Sequence, residues 1–257
     1  MLPEGYKVTL EHQGSHWWYR ARRDLFLGQV RRAARSLGHP GRKLSLLDYG
    51  CASGFDLPVL GEVGTAEGAD IVEIVDGGAR FGDRRNVIHV VPRDLPALRG
   101  RFDIVTCLDV LEHLDDDVEG LRTLWSLLRA DGQVIVTVPA YRWLWSGEDV
   151  ISQHRRRYTR DRVLNACRAA GFEVLFASYF NLGVLPAMAA AVGWRRLSHA
   201  NWRTESNLTA SPRWLDGAIG AVAGLEARAV GAERWRLPAG ASVVCRLRRP
   251  AREASPA

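Results

Sequence analysis

Apolar and polar positions alternate along this chain in two rhythms. Short runs dominated by Val, Ile, Leu and Ala fall at Leu44–Asp48, Ala66–Asp70, Val87–Val91, Phe102–Leu108, Gln133–Pro139, Glu173–Tyr179 and Ser242–Arg248. These read as strands. Between them the apolar residues return at helical spacing. Arg20–Leu37 sets Leu25, Phe26, Val30, Ala33 and Ala34 among arginines until Gly38 and Pro40 stop it. Asp116–Leu128 opens on acids and is followed by Arg129, which suits the helix dipole, and Ala130-Asp131-Gly132 turns the chain into the fifth strand. Thr159 is placed to cap a helix that runs to Ala170 and ends at Gly171. Alternating strands and helices predict an α/β fold: a doubly wound, seven-stranded, mostly parallel sheet.

The stretch from Asn181 to Gly240 is too long for a structureless loop in a compact domain. It reads as two helices, Val184–Leu197 and Arg213–Ala232, around the polar segment His199–Ser211. The expected organisation is one domain over 1–257. A helical N-terminal cap covers 1–40, the core covers 41–180 and 241–250, and a helical lid covers 181–240.

Composition narrows the class. The chain has 257 residues, 47% hydrophobic and 25% charged, which fits a soluble globular enzyme. The net charge of +6 comes almost wholly from scattered arginines, with Lys7 and Lys43 the only lysines. No basic stripe interleaved with aromatics appears, so no nucleic-acid partner is expected. The cysteines, Cys51, Cys107, Cys167 and Cys245, are far apart and read as reduced thiols of a cytoplasmic protein. The longest apolar run, Val184 to Trp194, is too short to span a bilayer. That predicts no integral membrane segment, while peripheral membrane contact and the oligomeric state stay open.

Candidate chemistry concentrates at strand ends. The first strand ends in an acid and enters a loop of small residues, Asp48-Tyr49-Gly50-Cys51-Ala52-Ser53-Gly54-Phe55-Asp56. Gly50, Ala52 and Gly54 leave a bare backbone against which a flat nucleoside can lie. A dinucleotide fingerprint places its third glycine elsewhere, at the position Phe55 occupies, so a pyrophosphate and an NAD(P)-dependent oxidoreductase are disfavoured. The D-x-G-x-(G/A)-x-G arrangement resembles motif I of the class I methyltransferases that use S-adenosyl-L-methionine. The resemblance implies that Asp48 organises the loop around the methionine end of the cofactor. Gly50, Cys51, Ala52 and Gly54 would line it, Asp70 at the end of the second strand would accept the ribose hydroxyls, and Asp94 would meet the adenine amino group. Leu108 and Asp109 would lie beside the transferred methyl.

Two histidines follow. Glu112 and His113 lie one turn beyond Asp109, a D-x-x-E-H spacing similar to the E-x-x-E-H of quinone-ring O-methyltransferases, where such residues can hold a divalent cation. Here they are taken as ordinary residues of a helix start, and no metal is expected. The segments Pro139–Asp149 and Gln153–Thr159 resemble a bacterial methyltransferase subgroup with P-A-x-x-x-L-W-S-x-x-D followed by H-x-R-R-Y. His16-Trp17-Trp18-Tyr19-Arg20 and Leu237-Pro238-Ala239-Gly240-Ala241-Ser242 support the same likeness. Trp17, Tyr141, Trp145 and Tyr158 are expected to wall the acceptor, unless Trp17 packs the N-terminal helix onto the core. Arg157 is expected to clamp an acidic group on the acceptor, the alternative being that an arginine of this run pairs with Glu148 or Asp149 to hold the loop. His154 is expected to act as base, lowered in pKa by its neighbouring arginines, and His113 to orient the acceptor, raised by Asp109 and Glu112. The expected reaction is methyl transfer to a small-molecule acceptor, with oxygen preferred. The alternatives are an amine acceptor or a non-catalytic protein that only binds the cofactor.

Overall fold

A computed structural model describes residues 12–38, 41–70, 87–89, 92–198 and 213–251. The strands are β1 (Leu44–Tyr49), β2 (Gly64–Asp70), β3 (Val87–His89), β4 (Phe102–Leu108), β5 (Leu128–Pro139), β6 (Glu173–Phe180) and β7 (Ser242–Arg248). They form one sheet in the order β3-β2-β1-β4-β5-β7-β6. β1 to β5 pair in parallel, and β7 runs antiparallel to both β5 and β6. The order reverses between β1 and β4, the place where open α/β sheets leave a crevice at the carboxyl ends of their strands.

The helices are α1 (Trp17–Leu37), α2 (Leu57–Gly61), α3 (Asp117–Leu127), α4 (Gly147–Ile151), α5 (Arg160–Ala169), α6 (Leu185–Ser198) and α7 (Arg213–Gly231). Strand periodicity sorts the core into two layers. Val105, Cys107, Val134, Val136, Val243 and Cys245 pack on one side of the sheet with α3 and α5. Ile104, Ile135, Val244 and Phe176 pack on the other side with α1 and α7. β4 is buried along its whole length, as a central parallel strand should be.

Local signals hold at most ends. His16 caps α1, its Nδ1 accepting from the Trp18 amide at 3.3 Å, and Gly38 closes the helix at φ 53°. Asp116 caps α3 through the amides of Val118 and Glu119, and Thr159 caps α5 through that of Arg162. Residues 130–132 depart from expectation. They do not precede the fifth strand but form an excursion inside β5, whose partner on β4 steps from Phe102↔Leu128 to Ile104↔Gln133. Asp131 sits at φ 61° there, and Arg129 leaves the helix dipole to pair with Asp103 at 2.8 Å.

The N-terminal helix is more than a cap. α1 lies on the sheet with Leu25, Phe26, Val30 and Ala33 buried, and packs along α7. The end of the expected third strand (residues 90 and 91) and the polar segment 199–211 lie outside the described residues. No helix of the described residues is long and apolar enough to cross a membrane.

Candidate active site

Asp48, Asp70, Leu108, Asp109 and Tyr141 lie at or just beyond the carboxyl ends of β1, β2, β4 and β5, at one edge of the sheet. The loop after β1 is built from left-handed turns, with Gly50 at φ 80°, Ala52 at 48° and Gly54 at 74°. Gly50 tolerates no side chain, because an added Cβ would lie 2.4 Å from Val110 Cγ2. The amides of Gly50 and Cys51 donate to the Ala69 carbonyl at 2.7 and 3.2 Å. The Ala52 amide donates to Asp70 Oδ2 at 2.8 Å, so Asp70 ties the loop to the end of β2.

Asp48 is buried beneath this loop and accepts from the Thr106 hydroxyl at 2.7 Å. Burial, reinforced by the nearby Asp56 carboxylate, pushes its pKa up to about 7. Leu108 ends β4 buried, and Asp109 follows at φ 58°, its amide donating to the Thr137 carbonyl. Arg22 of α1 reaches across to this edge. Its Nη1 lies 2.8 Å from Asp109 Oδ2 and its Nη2 lies 3.6 Å from Asp56, which Arg23 also holds at 2.7 Å. The Arg22 guanidinium is further covered by the Trp18 ring, 4.9 Å from its centroid. The side chain of Asp94 lies outside the described residues.

Beyond β4 the chain brings its two histidines together. The His113 and His154 rings meet edge to face with centroids 4.8 Å apart. His154 Nδ1 lies 2.8 Å from Asp149 Oδ1, and its Nε2 lies 3.9 Å from Glu112 Oε1. Asp149 is fully buried; burial alone would raise its carboxyl, but the hydrogen bonds from His154 and Arg157 win and hold it at about 2. Glu112 is also fully buried, neither of its carboxylate oxygens has a hydrogen-bond partner, and burial with the nearby Asp109 charge drives its pKa well up. The ligand atoms of Glu112, His113 and His154 all lie within 4.8 Å of one another, a cluster able to hold a divalent cation.

Four expectations need correction. Arg157 is no acceptor clamp: its Nε and Nη2 bind Asp149 at 2.7 and 2.9 Å, and its Nη1 binds the Ala140 carbonyl at 3.0 Å. Tyr158 is buried, its hydroxyl donating to Asp117 at 3.0 Å, so it packs the core and does not wall a pocket. Trp17 is buried where α1 meets α7, beside Gly220. His113 moves opposite to expectation, down to about 4, because burial and the neighbouring His154 outweigh the pull of Asp109. Tyr141, by contrast, stays partly buried at the mouth, stacked between Trp143 and Tyr179 at 5.5 and 5.2 Å, and Trp145 is half-buried next to it.

The same segments are those by which the chain is related to known proteins. Residues 16–176 match a family model described as a methyltransferase domain. The chain belongs to this methyltransferase family. Its relatives include the ubiquinone biosynthesis O-methyltransferase of Pseudomonas aeruginosa strain LESB58, 28% identical over 192 residues, which cover 65% of this chain and 82% of that one. The protein of the same description from Aromatoleum aromaticum is 30% identical over 159 residues, covering 54% and 67%. Among solved structures, a SAM-dependent methyltransferase from Archaeoglobus fulgidus superposes with a TM-score of 0.50 at 17% identity, covering 88% of this chain and 94% of that one. A second from Thermotoga maritima gives 0.50 at 16%, covering 95% and 99%.

The methyltransferase therefore uses S-adenosylmethionine as its methyl donor. Two of its site residues were not singled out from sequence for the roles they take. Arg22, with Arg23, belongs to the N-terminal segment that carries the family likeness, but its bridge between Asp56 and Asp109, both more than thirty residues further along the chain, is set by the fold and not by any local pattern. Asp149 belongs to a capping box with Ser146 at the start of α4, a signal that was readable, but its hold on His154 is not.

Proposed function

We propose that this methyltransferase moves the methyl group of S-adenosylmethionine to an oxygen of a small-molecule acceptor, with His154 as the general base. The observation that carries this reading is the buried Asp149–His154 pair. A carboxylate on Nδ1 favours the tautomer that leaves Nε2 able to take a proton, and it stabilises the imidazolium that forms. His113, neutral over the whole physiological range, serves to orient the acceptor. The sulfonium carbon is already electrophilic, so alignment of the acceptor oxygen and removal of its proton are what the site must supply. In this reading the loop from Gly50 to Gly54 carries the cofactor, Asp48 faces its methionine end, Asp70 its ribose and Asp94 its adenine. Leu108 and Asp109 flank the methyl, and Tyr141 and Trp145 flank the acceptor. The O-methyltransferase relatives support oxygen over nitrogen.

The test is release of S-adenosylhomocysteine across a panel of hydroxylated and amine acceptors. His154→Ala should lower kcat by about 10²–10⁴-fold, the range of general-base catalysis, with little change in KM. Asp149→Asn should lower kcat too and shift its pH profile. Turnover of amines with full rate in His154→Ala would overturn the assignment.

A second reading rests on the unpartnered Glu112 oxygens beside both histidines. If activity disappears on chelation and returns with Mn²⁺ or Mg²⁺, His154 is a ligand and not the base.

A further inference from the structure

Arg155 and Arg156 follow His154 directly and aim their donors at main chain. The turn after β4 that carries Glu112 and His113 spans only Leu111–His113. Its own hydrogen bonds use the carbonyls of Val110 and Leu111, which accept from the His113 and Leu114 amides at 3.0 and 3.3 Å. Backbone groups away from water need partners, and a turn this short cannot supply them for the carbonyls that follow. The two arginines do. The Arg155 amide donates to the Glu112 carbonyl at 2.8 Å, and its Nε to that of His113 at 2.9 Å. Arg156 Nη2 donates to the carbonyls of Leu114 and Asp115 at 2.7 Å each. Four consecutive carbonyls, from Glu112 to Asp115, are thus held by two consecutive residues.

The same run is anchored on two more sides. Arg156 Nη1 lies 3.3 Å from Asp117 Oδ2 in the first turn of α3, to which the Tyr158 hydroxyl also donates. The Tyr158 amide donates to the Pro139 carbonyl at 2.9 Å, and the Tyr141 amide to the Tyr158 carbonyl at 2.8 Å. Residues 155–158 therefore lie between the turn that follows β4 and the turn that follows β5. Arg156 is the better anchored of the two arginines, its side chain 18% exposed against 53% for Arg155. Its planar guanidinium meets two carbonyls and a carboxylate at once, which a lysine, a point charge on a flexible stem, cannot reproduce.

We propose that Arg156 is a positioning residue of the methyltransferase site. It holds the Glu112–His113 turn in register with His154, so that the two imidazoles keep their edge-to-face contact and Glu112 Oε1 stays 3.9 Å from His154 Nε2. Arg156 itself acts only through these side chains. The clamp holds whichever atom is methylated; its effect on rate rests on the reading of His154 as the base.

The full chain, labelled with 13C at histidine Cε1, is compared as wild type, Arg156→Gln and Arg156→Lys at one fixed pH. His113→Gln and His154→Gln assign the two signals, and S-adenosylhomocysteine affinity reports on folding. The wild type should show a nuclear Overhauser effect between the two rings. Arg156→Gln should lose it and move both Cε1–H signals, with the remaining histidines unmoved and S-adenosylhomocysteine affinity kept. Arg156→Lys should move the same two signals in the same direction by less, and it decides alone if Arg156→Gln does not fold. On any acceptor the enzyme turns over, kcat should fall about 10- to 10²-fold in Arg156→Gln with little change in KM, the scale of a misplacement of about 1 Å. Unmoved His113 and His154 signals in a variant that binds S-adenosylhomocysteine overturn the proposal and leave the reading of the base intact. Movement of every histidine signal with loss of S-adenosylhomocysteine binding in Arg156→Lys overturns it too, since that marks a general loss of structure. A lost ring contact with kcat unchanged upholds the clamp and instead removes His154 from proton transfer.

Discussion

Asp48 is a buried carboxyl that costs the protein stability above its pKa, a cost that a cofactor placed as proposed would relieve. Its folded pKa of about 7 lies above its unfolded value, so the stability it lends is full below about pH 4 and drains away as pH rises to about 7. Above that the empty protein must keep a charge in a nearly dry place, relieved mainly by the Thr106 hydroxyl. A cationic cofactor beside it reverses the balance by favouring the charged form. Two results are expected. Asp48→Asn, which keeps an oxygen for Thr106, should flatten the fall in stability between about pH 4 and 8 by a few kcal/mol, read from urea midpoints. It should also weaken S-adenosylmethionine binding. In the wild type, binding near pH 6 should release a proton, seen by calorimetry in buffers of different ionisation enthalpy. A heat independent of buffer would remove Asp48 from the cofactor site.

Among the elements, the ones set by local rules were legible in the sequence and the ones set by long-range partners were not. Strand periodicity, the caps at Asp116 and Thr159 and the glycine loop all act over a few residues, and each survives in the fold. The place of the excursion at residues 130–132 is set by long-range pairing, since β5 pairs with β4 on both sides of it, and no local turn signal carries that. The same limit hides the partners of Arg22. This residue joins α1 to the start of α2 and to the end of β4, and so fixes the geometry of the crevice from outside the core motif. Arg22→Ala leaves Asp56 with Arg23 but strands Asp109 on a left-handed backbone. Loss of about 1–3 kcal/mol in stability and a lower affinity for S-adenosylhomocysteine are expected. Asp109→Asn added to Arg22→Ala should recover part of the stability, because the unpaired charge is gone. Equal stability in all three proteins would show that the ion pair is an idle surface contact.

At the scale of the whole molecule, the sequence announces an insert before the last strand but not what the insert holds on to. The answer is α1. Gly28 of α1 and Gly231 at the end of α7 pack backbone to backbone, and a Cβ added at Gly28 would lie 2.8 Å from the Gly231 carbonyl carbon. Beside this contact Gln29 donates to the Val230 and Gly231 carbonyls at 3.1 and 3.2 Å. Its carbonyl oxygen accepts from Arg246 of β7, which also binds Gln133 of β5 and Glu233. Helices α1 and α7 and strand β7 are thereby locked through one glycine pair and one buried arginine. No single-residue propensity foretells this, since glycine in a helix is unfavourable by itself and is kept only for the close approach. Gly28→Ala should therefore destabilise the protein by about 1–3 kcal/mol although alanine is the better helix former, because backbone cannot yield as a side chain would. Thermal unfolding should fall by several degrees, and hydrogen exchange should rise along α1 and α7 together. A Gly28→Ala protein as stable as the wild type would mean that the two helices slide freely, and that the crevice edge held by Arg22 does not depend on their contact.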